Sequence, residues 1–152
     1  MPDEIAPFYT SGRYVPAPVE GDQAALYWVN TCKLDSRAWY ALPALTLHEA
    51  VPGHHLQVAR AMELTGLPAF RRQGFYVAYG EGWALYAERL MDEQGFYATP
   101  AERFGFLQAQ AFRAARLVVD TGLHALGWSR QRALDFMVAQ CGEAEKIGRA
   151  HV

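Results

Sequence analysis

Cysteine is nearly absent. Cys32 and Cys141 are the two in 152 residues, and their spacing matches no zinc motif, so the sequence reads as two reduced thiols rather than a disulfide framework. Lysine is scarce as well: 12 of the 14 basic residues are Arg. Arg suits fixed recognition of carboxylates better than Lys does, although genome composition produces the same bias. No apolar run approaches the roughly 20 residues of a membrane span. A net charge of −2 lacks the basic footprint of a nucleic-acid binder. The opening residues, Met1 to Thr10, are acidic and carry prolines, unlike a secretory leader. The default expectation is a cytoplasmic chain, with periplasmic placement or export open for a longer parent. Repeats and low-complexity segments are missing too.

What is present is a hydrophobic content of 51% against 20% charged residues. That composition and length fit a single domain, 1–152, with a real core. The sequence divides into an extended arm and strand (1–37), a helical core (38–142) and a polar tail (143–152).

The most informative stretch is Thr46–Gln57, T-L-H-E-A-V-P-G-H-H-L-Q, which places three of the five histidines within eight positions. Apolar residues flank it on both sides. A buried His-Glu-His-His group is costly unless something pairs with it, and a divalent metal is the obvious partner. In H-E-x-x-H on a helix, two His at i and i+4 face one zinc and the Glu acts as general base. Here Pro52 occupies the position of the second His. Deleting Pro52-Gly53 restores the motif with His48, Glu49 and His54, so the pair reads as a two-residue bulge in a metal-binding helix. The proline has no N–H and its ring crowds the preceding turn, while glycine tolerates unusual dihedrals. The alternative second ligand is His55. On a straight helix it shares a face with His48 to within about 20°, but it lies roughly 10.5 Å further along the axis. That is a long reach for bonds of about 2 Å, and His54 is preferred.

H-E-A-V-P-G-H-H-L-Q and the later E-G-W-A-L-Y-A-E resemble the signature blocks of the bacterial "domain of unknown function 885" proteins. These are regarded as zinc peptidases of the gluzincin type, distantly like the Taq-type metallocarboxypeptidases. The resemblance runs from about Tyr9 to Val152. Family members are several hundred residues long, so the expectation is the C-terminal catalytic part of a longer protein, stopping before the family's last helices. The resemblance implies a third metal ligand, a Glu from a following helix, and Glu81 fits that place. It also implies that a strand beside the metal helix holds substrate backbone, here Ala25–Thr31. Residues on a later helix would bind the substrate carboxylate, Arg113 or Arg116, and support the oxyanion, His124. Tyr76 and Tyr79 are the other candidates for the oxyanion, with Tyr79 also a candidate for substrate binding.

The expected fold is mainly α: about four helices around the bulged metal helix, with a short N-terminal strand or hairpin. Met1–Gly21, rich in Pro, Gly and Tyr and without a clear period, reads as an extended arm or loop. Ala25–Thr31 reads as a strand. The metal helix is predicted over Ala38–Thr65, with Pro43 in its first turn and Gly66 and Pro68 as its stop. A second helix covers Phe75–Glu93, with small residues around Glu81 expected to let it lie tight on the metal helix. Glu88 competes with Glu81 as ligand, or else is an exposed partner of Arg89 or Arg103. Trp83, Tyr86 and Leu90 have core spacing. Thr99-Pro100-Ala101-Glu102 is a capping box opening a third helix to about Leu126, and Ser129 caps a last helix over Arg130–Gln140. Arg113, Arg116, Asp120 and His124 form a stripe on the third helix, and Asp120 is placed to orient His124.

The function expected is zinc-dependent hydrolysis of peptide or amide bonds. Zinc would sit on His48, His54 and Glu81, with Glu49 as general base; manganese, cobalt or iron fit the same donors. Peptides or small amides are the partners expected, with no nucleic acid and no membrane span, and self-association if the core is truncated. The alternatives are an inactive or incomplete fragment of such a peptidase, or a non-catalytic helical metal-binding module.

Overall fold

The computed structural model describes residues 1–142; the expected polar tail, 143–152, lies outside the described residues. The chain is mainly helical with one two-stranded antiparallel hairpin near the N-terminus, as the sequence suggests. It divides into two compact units, Met1–Arg103 and Phe104–Val152.

In the first unit, strand β1 (Gly12–Val15) pairs with β2 (Leu26–Val29), Gly12 opposite Val29 and Val15 opposite Leu26. β2 lies inside the predicted strand. β1 falls inside the extended arm or loop read over Met1–Gly21 and gives the N-terminal hairpin its other strand, which no period marks. The reason is a long-range anchor with no local signature. The side-chain amide of Asn30, 2% exposed, donates to the carbonyls of Ala6, Tyr9 and Thr10 at 2.8, 3.1 and 2.9 Å. Its Oδ1 accepts from the Cys32 N–H. A buried amide satisfied on both ends holds the arm in place.

The predicted single metal helix is two helices. After a 3-10 turn at Trp39–Ala41, α1 spans Leu42–Glu49 with Pro43 in its first turn, and α2 spans His54–Glu63. The Pro-Gly pair therefore does more than bulge the helix: it ends one and lets another begin. Ala50 and Gly53 leave helical geometry at ψ −116° and −135°, and the Val51–Pro52 peptide is cis. Glycine is required at 53, because an added Cβ would lie 1.9 Å from the His48 carbonyl oxygen. The break is tied down from outside by the indole of Trp83, which donates to the Pro52 carbonyl at 2.8 Å.

A short helix, α3 (Ala69–Gln73), follows where the sequence suggests only a stop. α4 spans Val77–Glu93 and packs against α1 and α2. Apart from Glu88, its buried side chains are small, Ala84 and Ala87, as is Ala44 on α1. The glycines beside Glu81 have other roles than the one expected. Gly80 makes room for the Phe75 ring, 2.2 Å from where its Cβ would stand, and Gly82 faces open space. Tyr86, read as core, is 55% exposed.

α5 (Pro100–His124) opens on the predicted capping box. The Glu102 N–H donates to Thr99 Oγ1, and the Thr99 N–H to Glu102 Oε2. Beyond its first turn it belongs to the second unit, with α6 (Arg130–Cys141), capped by Ser129 as expected. Ala115, Val119, Ala133, Met137 and Cys141 form the core there, with Phe112, Leu123, Trp128 and Phe136 packed around it. Gly122 seats the Trp128 ring, which a Cβ would meet at 2.5 Å. The Arg132 guanidinium covers that indole at 4.1 Å from the ring centroid.

Candidate metal centre

The helix break brings together what the sequence separates. His48 sits in the last turn of α1 and His54 is the first residue of α2. Their rings stand 4.7 Å apart between centroids, at 88° to each other. α4 supplies Glu81, whose Oε2 is 3.5 Å from His48 Nε2 and 3.8 Å from His54 Nε2. One donor atom from each of the three lies within 4.8 Å of the others. Donors on a tetrahedral ion with bonds of 2.0–2.2 Å stand about 3.4 Å apart, so Glu81 is already near that spacing from both imidazoles, and a shared ion would draw the three closer together. Two imidazoles and a carboxylate are also the donor set of an open zinc site, which keeps a fourth position for water or substrate. These residues fit a metal.

His48 is oriented from behind. Its Nδ1 is 2.7 Å from Glu88 Oε1, and Glu88 is fully buried. A carboxylate accepting from Nδ1–H leaves the Nε2 lone pair directed at Glu81, which is the tautomer a metal needs. This corrects the reading of Glu88 as an exposed partner of Arg89 or Arg103. Those two arginines pair with Glu93 and Asp92 instead. Glu88 lies seven residues after Glu81, two turns along the same face, so one helix presents both the candidate ligand and the group that orients another.

Glu49, 9% exposed, lines a cavity of about 410 Å³ together with His48, His54 and Glu81. Its Oε2 accepts from the Tyr14 backbone N–H at 2.7 Å. The strand that touches this carboxylate is thus β1, whereas the sequence pointed to Ala25–Thr31. Tyr27 of β2 reaches α1 through its hydroxyl, 3.4 Å from Thr46 Oγ1. Burial raises the Tyr27 phenol above its ordinary pKa; the hydrogen bond with Thr46 opposes this and the Glu49 charge adds to it. Burial raises Tyr14 likewise. Both stay protonated, neutral donors at physiological pH.

Of the other candidates, His55 turns to β1, its ring 5.6 Å from that of Tyr14, and is not in the three-residue donor group. Tyr76 and Tyr79 are about two-thirds exposed and do not line the cavity; the Tyr79 carbonyl accepts from Gln57. His124 is on α5 of the second unit, exposed, with Asp120 Oδ1 3.7 Å from its Nε2. Arg113 and Arg116 are on the same helix, Arg116 over the Phe112 ring. The sequence reading missed Arg13, Tyr14, Phe75 and the orienting role of Glu88. A backbone donor such as the Tyr14 N–H leaves no trace in a sequence.

Fold and site together define a mainly helical protein that gathers from three helices a three-residue donor group able to hold a metal. The model of a family described as "Bacterial protein of unknown function (DUF885)" matches residues 1–152, and the chain belongs to that family. Among solved structures it is similar to one described as the "putative lipoprotein" from Colwellia psychrerythraea, at 41% identity and a TM-score of 0.92. The match covers 99% of this chain and 27% of that one, so the chain spans about a quarter of that neighbour's length. No curated protein matches the sequence.

Proposed function

We propose that this chain carries the metal-binding, catalytic part of a hydrolase that cleaves peptide or amide bonds, with zinc as its metal. The observation that carries the reading is the convergence of His48, His54 and Glu81, with His48 backed by the buried Glu88. When bound, the metal supplies a Lewis acid that polarises a carbonyl and acidifies water. The protein's own groups do the rest. His48, His54 and Glu81 would hold the ion, and Glu88 fixes the His48 tautomer. Glu49, held by the Tyr14 N–H on the cavity wall, takes a proton from the attacking water and delivers it to the leaving amine. Glu49 follows a ligand in sequence and is anchored toward β1, so it stands beside the donor group rather than within it. Oxyanion support from His124 and substrate binding by Arg113 or Arg116 rest on the family resemblance alone; Tyr76 or Tyr79 is the other candidate for the oxyanion, and Tyr79 also for substrate binding.

The chain is a quarter of its neighbour's length, which favours one further reading: activity belongs to the longer protein, and this part alone binds metal. The neighbour's description as a lipoprotein also makes export a reasonable proposal for such a protein. The test is metal content and peptide-library cleavage of Glu49→Gln and Glu81→Gln beside the parent. Glu49→Gln is expected to keep one metal per chain and lose at least about 1000-fold in turnover. Glu81→Gln is expected to weaken metal binding by orders of magnitude. Retained turnover in the first variant removes Glu49 as base; unchanged affinity in the second removes Glu81 as ligand.

A further inference from the structure

The cavity at the donor group has one arginine on its wall, Arg13 of β1. Its position follows from the hairpin ladder. The Asn30 N–H donates to the Ser11 carbonyl, and backbone groups on an antiparallel strand alternate between partner strand and free edge. With Gly12 opposite Val29 and Tyr14 opposite Tyr27, the N–H and C=O of Tyr14 both point off the free edge of β1. The N–H reaches Glu49 Oε2 at 2.7 Å. The C=O accepts from Arg13 Nε at 3.3 Å. The guanidinium and the carboxylate are therefore anchored to the two polar groups of one residue, which keeps them within about 10 Å of each other.

Arg13 is braced rather than loose: Nη1 donates to the Tyr9 hydroxyl at 3.0 Å, and its Cζ lies 6.0 Å from the Tyr9 ring centroid. No carboxylate pairs with it among the described residues, and Nη2 is uncommitted there. A fixed, exposed guanidinium beside a candidate base fits a planar anion.

We propose that Arg13 binds a free carboxylate of the substrate, and that the bond cleaved lies one or two residues before a peptide's C-terminus. This rests on the hydrolase reading above. A residue spans about 3.5 Å of extended chain, so one or two residues bridge the space between the base and the guanidinium. The same edge is poorly suited to a passing internal strand. Its Tyr14 N–H and C=O already have partners, and the Gly12 carbonyl accepts from Thr10 Oγ1. Strand addition depends on such groups being available.

The experiment uses the metal-loaded protein and pairs of N-blocked peptides of one sequence, as free acid and as C-terminal amide. The acid is expected to be cleaved at least about tenfold faster in kcat/KM, mostly through KM, as for loss of a charge-assisted contact. Arg13→Gln, with metal content checked, brings the acid-to-amide ratio near one, and Arg13→Lys restores part of it. Binding of the same pairs to the Glu49→Gln protein is measured in parallel. Equal cleavage of acid and amide overturns the proposal and leaves the hydrolase reading standing. A ratio that survives Arg13→Gln but is lost in Arg113→Gln or Arg116→Gln also overturns it. If neither peptide is cleaved, this chain alone is not the hydrolase, and the reading that it only binds metal stands. An acid preference in binding that disappears in Arg13→Gln then still supports the carboxylate site, and its absence sinks it.

Discussion

The two units bury different chemistry. Residues 1–103 hold every buried polar or charged side chain among the described residues: Asn30, His48, Glu49, His54, Gln57 and Glu88. The described part of the second unit buries Ala, Val, Leu, Phe, Met and Cys. Apolar burial stabilises a fold without requiring partners, whereas each buried polar group costs free energy unless it is matched. The second unit resembles a core chosen for stability. The first accepts a less favourable interior, and four of its six buried polar groups, His48, Glu49, His54 and Glu88, gather around one cavity or stand directly behind it. Departures from apolar packing concentrated at one place are what a functional site produces.

The most forceful way to break that comparison is to damage the second unit and read the first. Met137 is fully buried in the α5–α6 cluster. Met137→Ala is expected to cost about 2–5 kcal/mol of unfolding free energy in denaturant titration. Metal affinity at His48, His54 and Glu81 should stay within about twofold if the donor group depends on the first unit alone. A large fall in metal affinity at a denaturant-free, folded baseline would show that the division is not functional.

The reverse substitution sharpens it. Glu88→Gln keeps volume and a hydrogen-bond acceptor for His48 Nδ1 but removes the charge. Outer-shell partners of metal-binding His are worth about 10–100-fold in affinity, so competition titration should show a loss of that size, about 1.4–2.8 kcal/mol. The chelated protein should be no less stable than the parent, and a gain is consistent with removing a buried carboxylate. A loss of stability without a loss of affinity would make Glu88 structural.

These contrasts were unevenly legible in the sequence. The Pro52-Gly53 interruption could be read because deleting it restores a known ligand spacing, and the structure does bring His48 and His54 together. The extent of the interruption was not readable. It depends on Gly53 lying against the His48 carbonyl and on Trp83, 31 residues on, reaching Pro52. Glu88 was on the correct helical face, yet Arg89 and Arg103 offered plausible surface partners. Only tertiary packing assigns them to Glu93 and Asp92 and buries Glu88. β1 carries Pro-rich flanks and is fixed by Asn30 from outside, so period and propensity had nothing to report. The capping box at Thr99 and the Ser129 cap were readable because their partners are three residues away. Local rules locate helix ends well; a site assembled from a strand and three helices depends on contacts that local rules do not see.

The smallest expected effect is a pH dependence confined to the hairpin side of the first unit. Burial lifts the Tyr27 phenol above its ordinary 10.0, the Thr46 hydrogen bond opposes the rise, and the nearby Glu49 charge reinforces it; burial lifts Tyr14 as well. In the unfolded chain these phenols lose their protons at lower pH than in the folded one. Between the two values the folded state holds more protons, so raising pH favours unfolding. The contribution is complete below about pH 10 and declines as pH rises through the folded pKa. Unfolding free energy measured at increasing pH should therefore fall above about pH 10 in the parent, and less steeply in Tyr27→Phe and Tyr14→Phe. Since the Glu49 carboxylate contributes to the Tyr27 shift, Glu49→Gln should also reduce the slope, by less than Tyr27→Phe does. An alkaline slope that none of the three substitutions changes would place its origin outside the hairpin and weaken the view that the first unit's interior is the electrostatically costly one.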